Sequence, residues 1–143
     1  MTDLYHRVLQ VHRKIYIGTN GLLGHRLLFG NPTLLLRAVG RRTGQLRTTA
    51  LTYAQDGDTY LVAASNGGSD RPPAWLTNLK ATPECSVQIA RRRIDVTAAV
   101  ELPDSPNYSR HWKALNQVNK DRYSSYQQQT ARPIPIVTLS PTA

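Results

Sequence analysis

Thr33 to Ser65 reads TLLLRAVGRRTGQLRTTALTYAQDGDTYLVAAS, which parses as three short strands joined by two turns. Thr33–Val39 is an apolar run between turn signals, as a buried strand requires. Gly40–Gly44 is its turn, and the threonine-rich Leu46–Tyr53 reads as the partner strand. Asp56-Gly57 marks a hairpin into Thr59–Ser65. Consecutive antiparallel strands of this length curl most naturally into a small barrel.

Working outward, Asn66-Gly67-Gly68-Ser69 and Pro72-Pro73 make a loop that no regular element carries. Ala74–Ala81 is a short helix, entered after a proline and stopped before Pro83. Strands follow at Cys85–Ala90 and at Ile94–Leu102, where Ile94, Val96, Ala98 and Val100 alternate. Asp104 or Ser105 is placed to cap a helix over Asn107–Asn119, with Trp112, Leu115 and Val118 on one stripe. Tyr123–Pro133 reads as a polar loop. Ile134–Leu139 closes as a strand that Pro135 should confine to an edge or a bulge. Upstream, Leu4, Val8, Val11 and Ile15 share one face of a helix over Leu4–Ile17. That helix either packs on the barrel or, being basic, rests on anionic lipid. Leu22–Phe29 is a second short apolar segment. The chain is therefore expected to be one domain, mainly β with helices (α+β), with about six antiparallel strands. An N-terminal helical segment spans 1–32 and the barrel 33–143.

The bulk properties narrow the partners. The 143 residues carry a formal net charge of +9 at pH 7 and a pI near 10.2, so anions of some kind are expected at the surface. Nucleic acid is disfavoured, because single-strand binders interleave aromatics with basic residues and aromatics here total 7%. A single cysteine, Cys85, excludes an internal disulfide and a thiolate cluster. The four histidines are scattered, so no metal is expected. No apolar run approaches the length of a membrane span, and no signal-peptide pattern opens the chain. These features suit the cytoplasm.

Two stretches carry candidate chemistry. Arg41, Arg42 and Arg47, with Thr43 between them, put guanidinium forks on both arms of one turn, suited to phosphate or carboxylate. The plainer reading is a solvated basic hairpin tip. Ala63-Ala64-Ser65-Asn66-Gly67-Gly68 ends a strand in small residues, a floor on which a planar ring could lie, or else an ordinary loop. Trp75 and Asn78 share a face of the short helix, with Lys80 round its side; Trp75 as core and Lys80 in water is the bland alternative. Tyr123 and Tyr126 could close over a pocket or pack at its rim. No nucleophile elbow or acid/base dyad is present. Such a protein is expected to borrow its chemistry from a cofactor.

G-R-R-T-G-x-x-R, then A-A-S-N-G-G, then P-A-W-x-x-N-L-K-A-x-P resembles the deazaflavin-dependent nitroreductase family, split β-barrel oxidoreductases of actinobacteria. The match runs in order over roughly residues 33 to 139. It implies a flavin-reductase or FMN-binding-like split barrel and coenzyme F-420, a deazaflavin with a phosphate and glutamyl tail. On that resemblance Arg41, Arg42, Thr43 and Arg47 hold the tail, Ala63, Ala64, Ser65, Asn66 and Gly67 line the ring, and Trp75, Asn78 and Lys80 complete the groove. Ser65, Tyr123 and Tyr126 would face the electron acceptor, a quinone or a nitro compound, for orientation or protonation. Asn66 stands where some members carry lysine, and Gln129 where a third tyrosine is found. Peripheral membrane contact through residues 4–17 and a homodimer are further expectations. The alternatives are an FMN-binding (or haem-binding) barrel and a non-catalytic deazaflavin or lipid binder.

Overall fold

The computed structural model describes residues 31–142, so the stretches read as helix over 4–17 and as an apolar segment over 22–29 lie outside the described residues. Seven strands form one sheet: β1 (Thr33–Val39), β2 (Leu46–Thr52), β3 (Ala54–Asp56), β4 (Thr59–Ala63), β5 (Glu84–Ile89), β6 (Arg92–Glu101) and β7 (Ile136–Pro141). Among the described residues three α-helices accompany it: α1 (Ala74–Ala81), α2 (Tyr108–Val118) and α3 (Arg122–Gln128). The strand order is β2-β1-β5-β6-β7-β4-β3, with every neighbouring pair antiparallel.

That order forces the sheet to curl. β2 and β3 are its two edges, yet only Tyr53 separates them in the chain. The edges must therefore meet at that corner, which a flat sheet of seven strands cannot do. Strand β6 supplies the stagger that curling needs, pairing with β5 over Arg92–Thr97 and with β7 over Val96–Glu101. Tyr53 fixes the corner: its N–H donates to the Pro32 carbonyl (3.1 Å), and its ring meets Tyr60 edge-on at 5.8 Å. The result is a split β-barrel of the α+β class.

Two cores follow from the strand alternation. On the inner face Leu34, Leu36 and Ala38 of β1, Val62 of β4, Val87, Val96 and Val137 pack against Trp75, Leu76 and Leu79 of α1. On the outer face Leu61, Ala63 and Ile136 pack against Tyr108, Leu115 and Tyr123 of α2 and α3. Helix α1 thus plugs the barrel, while α2 and α3 cover its back.

Four expectations need correction. The strand read over Leu46–Tyr53 stops at Thr52 and a separate β3 begins, giving seven strands instead of six. The segment read as a loop from Tyr123 starts with helix α3, whose N-terminus is capped from another element: the Ser124 N–H donates to the Asn116 Oδ1 of α2 (3.0 Å). The last strand, read over Ile134–Leu139, begins after Pro135 and lies inside the sheet, between β6 and β4. Pro135 needs no edge there, since it contributes only its carbonyl, to the Ala64 N–H (2.9 Å). Neither Asp104 nor Ser105 caps α2, which starts at Tyr108; the Ser105 Oγ instead accepts from the Leu102 N–H (3.3 Å).

Candidate functional site

The β1–β2 turn closes through two short hydrogen bonds, Gly44 N–H to the Gly40 carbonyl and Gly40 N–H to the Gln45 carbonyl, both 2.8 Å. The Thr43 Oγ1 accepts from the Gln45 N–H (3.2 Å). A Cβ at Gly40 would lie 3.2 Å from the Gln45 oxygen and 3.3 Å from the Thr43 hydroxyl, so a side chain there would crowd the turn. Pairing then sets the faces. Leu36 opposes Thr49 and Ala38 opposes Arg47, which puts Arg47 on the inner face of the hairpin, toward α1.

Between that face and α1 is a cavity of about 350 Å³ lined by Arg41, Arg42, Thr43, Arg47, Trp75 and Asn78, together with small and apolar side chains. Asn78 is 7% exposed, and its Oδ1 accepts twice from Arg41, from the backbone N–H (3.1 Å) and from Nη1 (3.0 Å). One buried amide therefore ties the arginine turn to the helix opposite. Trp75 belongs both to the inner core and to the cavity wall.

The other predicted residues fall elsewhere. Ala63, Ala64 and Ser65 are buried at the end of β4 and are not among the residues lining this cavity. Asn66 and Gly67 follow in a 3-10 turn, where the Asn66 Nδ2 donates to the Arg71 carbonyl (3.0 Å). Lys80 is exposed, about 200° round the helix from Asn78, and lines no part of the cavity. Tyr123 is buried in the outer core, 6.3 Å from Trp112 and 6.2 Å from Tyr126 between ring centres, and Tyr126 is half-buried. A close approach links these last two groups. A Cβ on Gly68 (φ +85°) would stand 3.0 Å from the Tyr126 carbonyl, so the loop after β4 lies directly on α3.

Sequence reading missed three features. Thr48, Thr49 and Ala74 also line the cavity. Arg132 donates to four carbonyls of the loop after β4. His111 of α2 lies between Glu101 (2.6 Å) and Asp56 (2.8 Å). Only the strand alternation around Arg47 could have signalled any of these. Among the described residues no group of three His, Cys, Asp or Glu side chains is placed to hold a metal ion. Burial, with Glu84 beside it, pushes the Cys85 thiol up to about 11, so it stays protonated near neutrality and is a poor nucleophile.

A curled sheet plugged by one helix, with a basic turn facing that helix over a cavity, defines a split β-barrel protein. Solved structures agree on the fold: one described as an F420-H2 dependent reductase has a TM-score of 0.69 at 29% identity, covering 76% of this chain and 94% of that one. Another, described as a domain-swapped dimer, has a TM-score of 0.71 at 28% identity, covering 97% and 98%. The family model for F420H(2)-dependent quinone reductase matches residues 8–141, and the chain belongs to that family. An F420H(2)-dependent quinone reductase of Mycobacterium tuberculosis is 48% identical over 134 residues, 94% of this chain and 90% of the relative.

Proposed function

We propose that the protein is an oxidoreductase that uses reduced coenzyme F-420 to reduce a quinone. The observation that carries this is the convergence of Arg41, Arg42, Thr43 and Arg47 with Trp75 at one cavity. The donor set fits the cofactor: guanidinium forks suit a phosphate with a carboxylate-bearing tail, and Gly40 lets the turn that carries them close tightly. When bound, the deazaflavin supplies the hydride that the acceptor takes up.

The chain's own residues do the rest. Arg42 and Arg47, exposed around the cavity, bind the tail, while Asn78 works one step back by holding Arg41 in place. Asn66 and Gly67, half-buried just beyond the buried Ala63–Ser65 end of β4, offer the surface for the ring. The Ser65 side chain and the Tyr126 hydroxyl orient the acceptor, with Tyr126 the group to deliver a proton. Tyr123 supports Tyr126 from the core. Lys80 adds charge to the face without touching the tail. The protein's contribution is placement and exclusion of water.

Replacing Arg47 with alanine removes one charge-assisted contact and should weaken deazaflavin binding about tenfold. Fluorescence titration measures it, and unchanged affinity would sink the tail assignment. Deazaflavin absorbance followed with a menaquinone analogue tests the reaction itself, and a failure of acceptor-dependent oxidation overturns it. The same reading includes a homodimer, as in the relative described by its swapped dimer, and contact of residues 4–17 with lipid. Sedimentation with and without anionic vesicles tests both. A monomer that stays in the supernatant overturns them.

A further inference from the structure

Arg132 follows α3 and reaches back across about sixty residues of sequence. Its Nε donates to the Ser69 carbonyl (3.0 Å), Nη1 to that of Ala64 (3.2 Å), and Nη2 to those of Ser65 (3.0 Å) and Arg71 (3.4 Å). Four carbonyls of one eight-residue stretch therefore converge on a single fork. Three of these bonds are part-buried, so without Arg132 the Ala64, Ser65 and Ser69 carbonyls lose a donor that water replaces only in part, while the Arg71 carbonyl is exposed. The neighbouring carboxylate, Asp70, accepts from the Thr130 hydroxyl (2.6 Å), a second tie between the same two segments. A third tie is packing: no Cβ fits at Gly68 without displacing the Tyr126 carbonyl.

We propose that Arg132 is a positioning residue that fixes the Ala64–Arg71 loop against the segment carrying Tyr126, and so sets the spacing between the ring and the acceptor. This rests on the functional reading above, in which the ring lies on that loop and Tyr126 faces the acceptor. Two walls of one reaction space come from chain segments with no covalent proximity, and Arg132 is the rigid link between them. A guanidinium suits the task because its planar fork satisfies several carbonyls at once, whereas an ammonium is a single point of contact. The tail site lies apart from this link: Asn78 holds Arg41 from α1, so tail binding does not depend on Arg132.

Two properties should therefore separate when Arg132 is changed. In Arg132→Ala single-turnover hydride transfer to a menaquinone analogue, at saturating deazaflavin and normalised to titrated cofactor sites, falls about 30-fold or more, a larger factor than the loss of deazaflavin affinity, which the arginine turn still supports. Millimolar guanidinium restores part of that rate in Arg132→Ala but not in Arg132→Lys, where the ammonium fills the space. In the cofactor-free protein, amide exchange over residues 65–71 accelerates in both variants while exchange in β5 and β6 does not. A rate loss that only follows weakened cofactor binding, or an unchanged rate in folded Arg132→Lys, overturns the proposal. If Arg132→Ala does not fold, Arg132→Lys decides alone. A wild-type protein that oxidises no deazaflavin with the quinone overturns the functional reading instead, and the exchange measurement still shows whether Arg132 holds the loop.

Discussion

Asn78→Ala should lower deazaflavin affinity about 30-fold and destabilise the fold by about 2 kcal/mol. Asn78 is buried, and its Oδ1 is the acceptor for both the Arg41 backbone N–H and the Arg41 guanidinium. Alanine leaves that N–H without its acceptor at the corner of a tight turn. The guanidinium is exposed and rehydrates at little cost, so most of the stability loss comes from the amide and from the truncation of a buried side chain. The affinity loss exceeds that of Arg47→Ala for a different reason. With the tie broken, Arg41 and Arg42 must be ordered by the ligand, at about 0.5–1.5 kcal/mol for each side chain. Asn78→Asp separates the two effects. It keeps an acceptor for Arg41, so thermal stability should hold, but it puts a carboxylate at an anion site, so affinity should still fall. Thermal unfolding beside a fluorescence titration reads both, and wild-type affinity in Asn78→Ala would mean that the arginine turn is not the tail site.

The parts of this molecule that were legible in the sequence are those whose determinants are local. The β1–β2 turn announces itself through Gly40 and Gly44, the next hairpin through Asp56-Gly57, and α1 through the prolines on either side of it. The corner at Tyr53 does not, because the residues on both sides of it favour strand; only the pairing of β2 with β1 and of β3 with β4 shows that the chain changes edges there. Helix α3 was read as a loop because its cap comes from Asn116, eight residues away on another helix. The site divides in the same way. Arg41, Arg42, Thr43, Arg47 and Trp75, which stand out in the turn and the helix, line one cavity, yet Asn78 grips Arg41 in a way no local pattern reveals. Arg132 gives no local signal because its carbonyl partners lie 61 or more residues distant, and His111 gives none because one of its two carboxylates, Asp56, lies 55 residues away. What such residues do is set by topology, which local sequence patterns carry only as far as a barrel.

His111 gives the second large effect, and its sign depends on pH. The imidazole is 4% exposed, with Nδ1 2.6 Å from the Glu101 carboxylate and Nε2 2.8 Å from that of Asp56, which also takes Arg110 at 2.8 Å. A neutral imidazole has one N–H and can satisfy only one of these acceptors as a donor; the imidazolium satisfies both. Burial opposes the charged form, but hydrogen bonds to Glu101 and then Asp56 outweigh it, and the pKa rises above 6.5. Asp56 moves the other way, below 3.8, through its hydrogen bonds to Arg110 first and His111 second. Tyr108, pushed up to about 12 by burial and by Glu101, stays neutral and does not compete. A raised histidine pKa stabilises the fold fully below the unfolded value and loses that contribution as pH climbs through the folded value. The lowered Asp56 pKa contributes above its unfolded value and fades as pH falls through the folded one. The clamp joining α2 to β3 and β6 is therefore strongest between about pH 4 and 6.5. His111→Leu should cost about 2 kcal/mol there, because two carboxylates then face each other without the shared cation, though solvent at Asp56 softens the loss. Above the raised pKa the wild type has given up much of the same contribution, so the gap between the two proteins narrows. Urea unfolding of both at pH 6 and pH 9 measures the difference, and a gap that is the same at both values would show that His111 is held by packing and not by its charge.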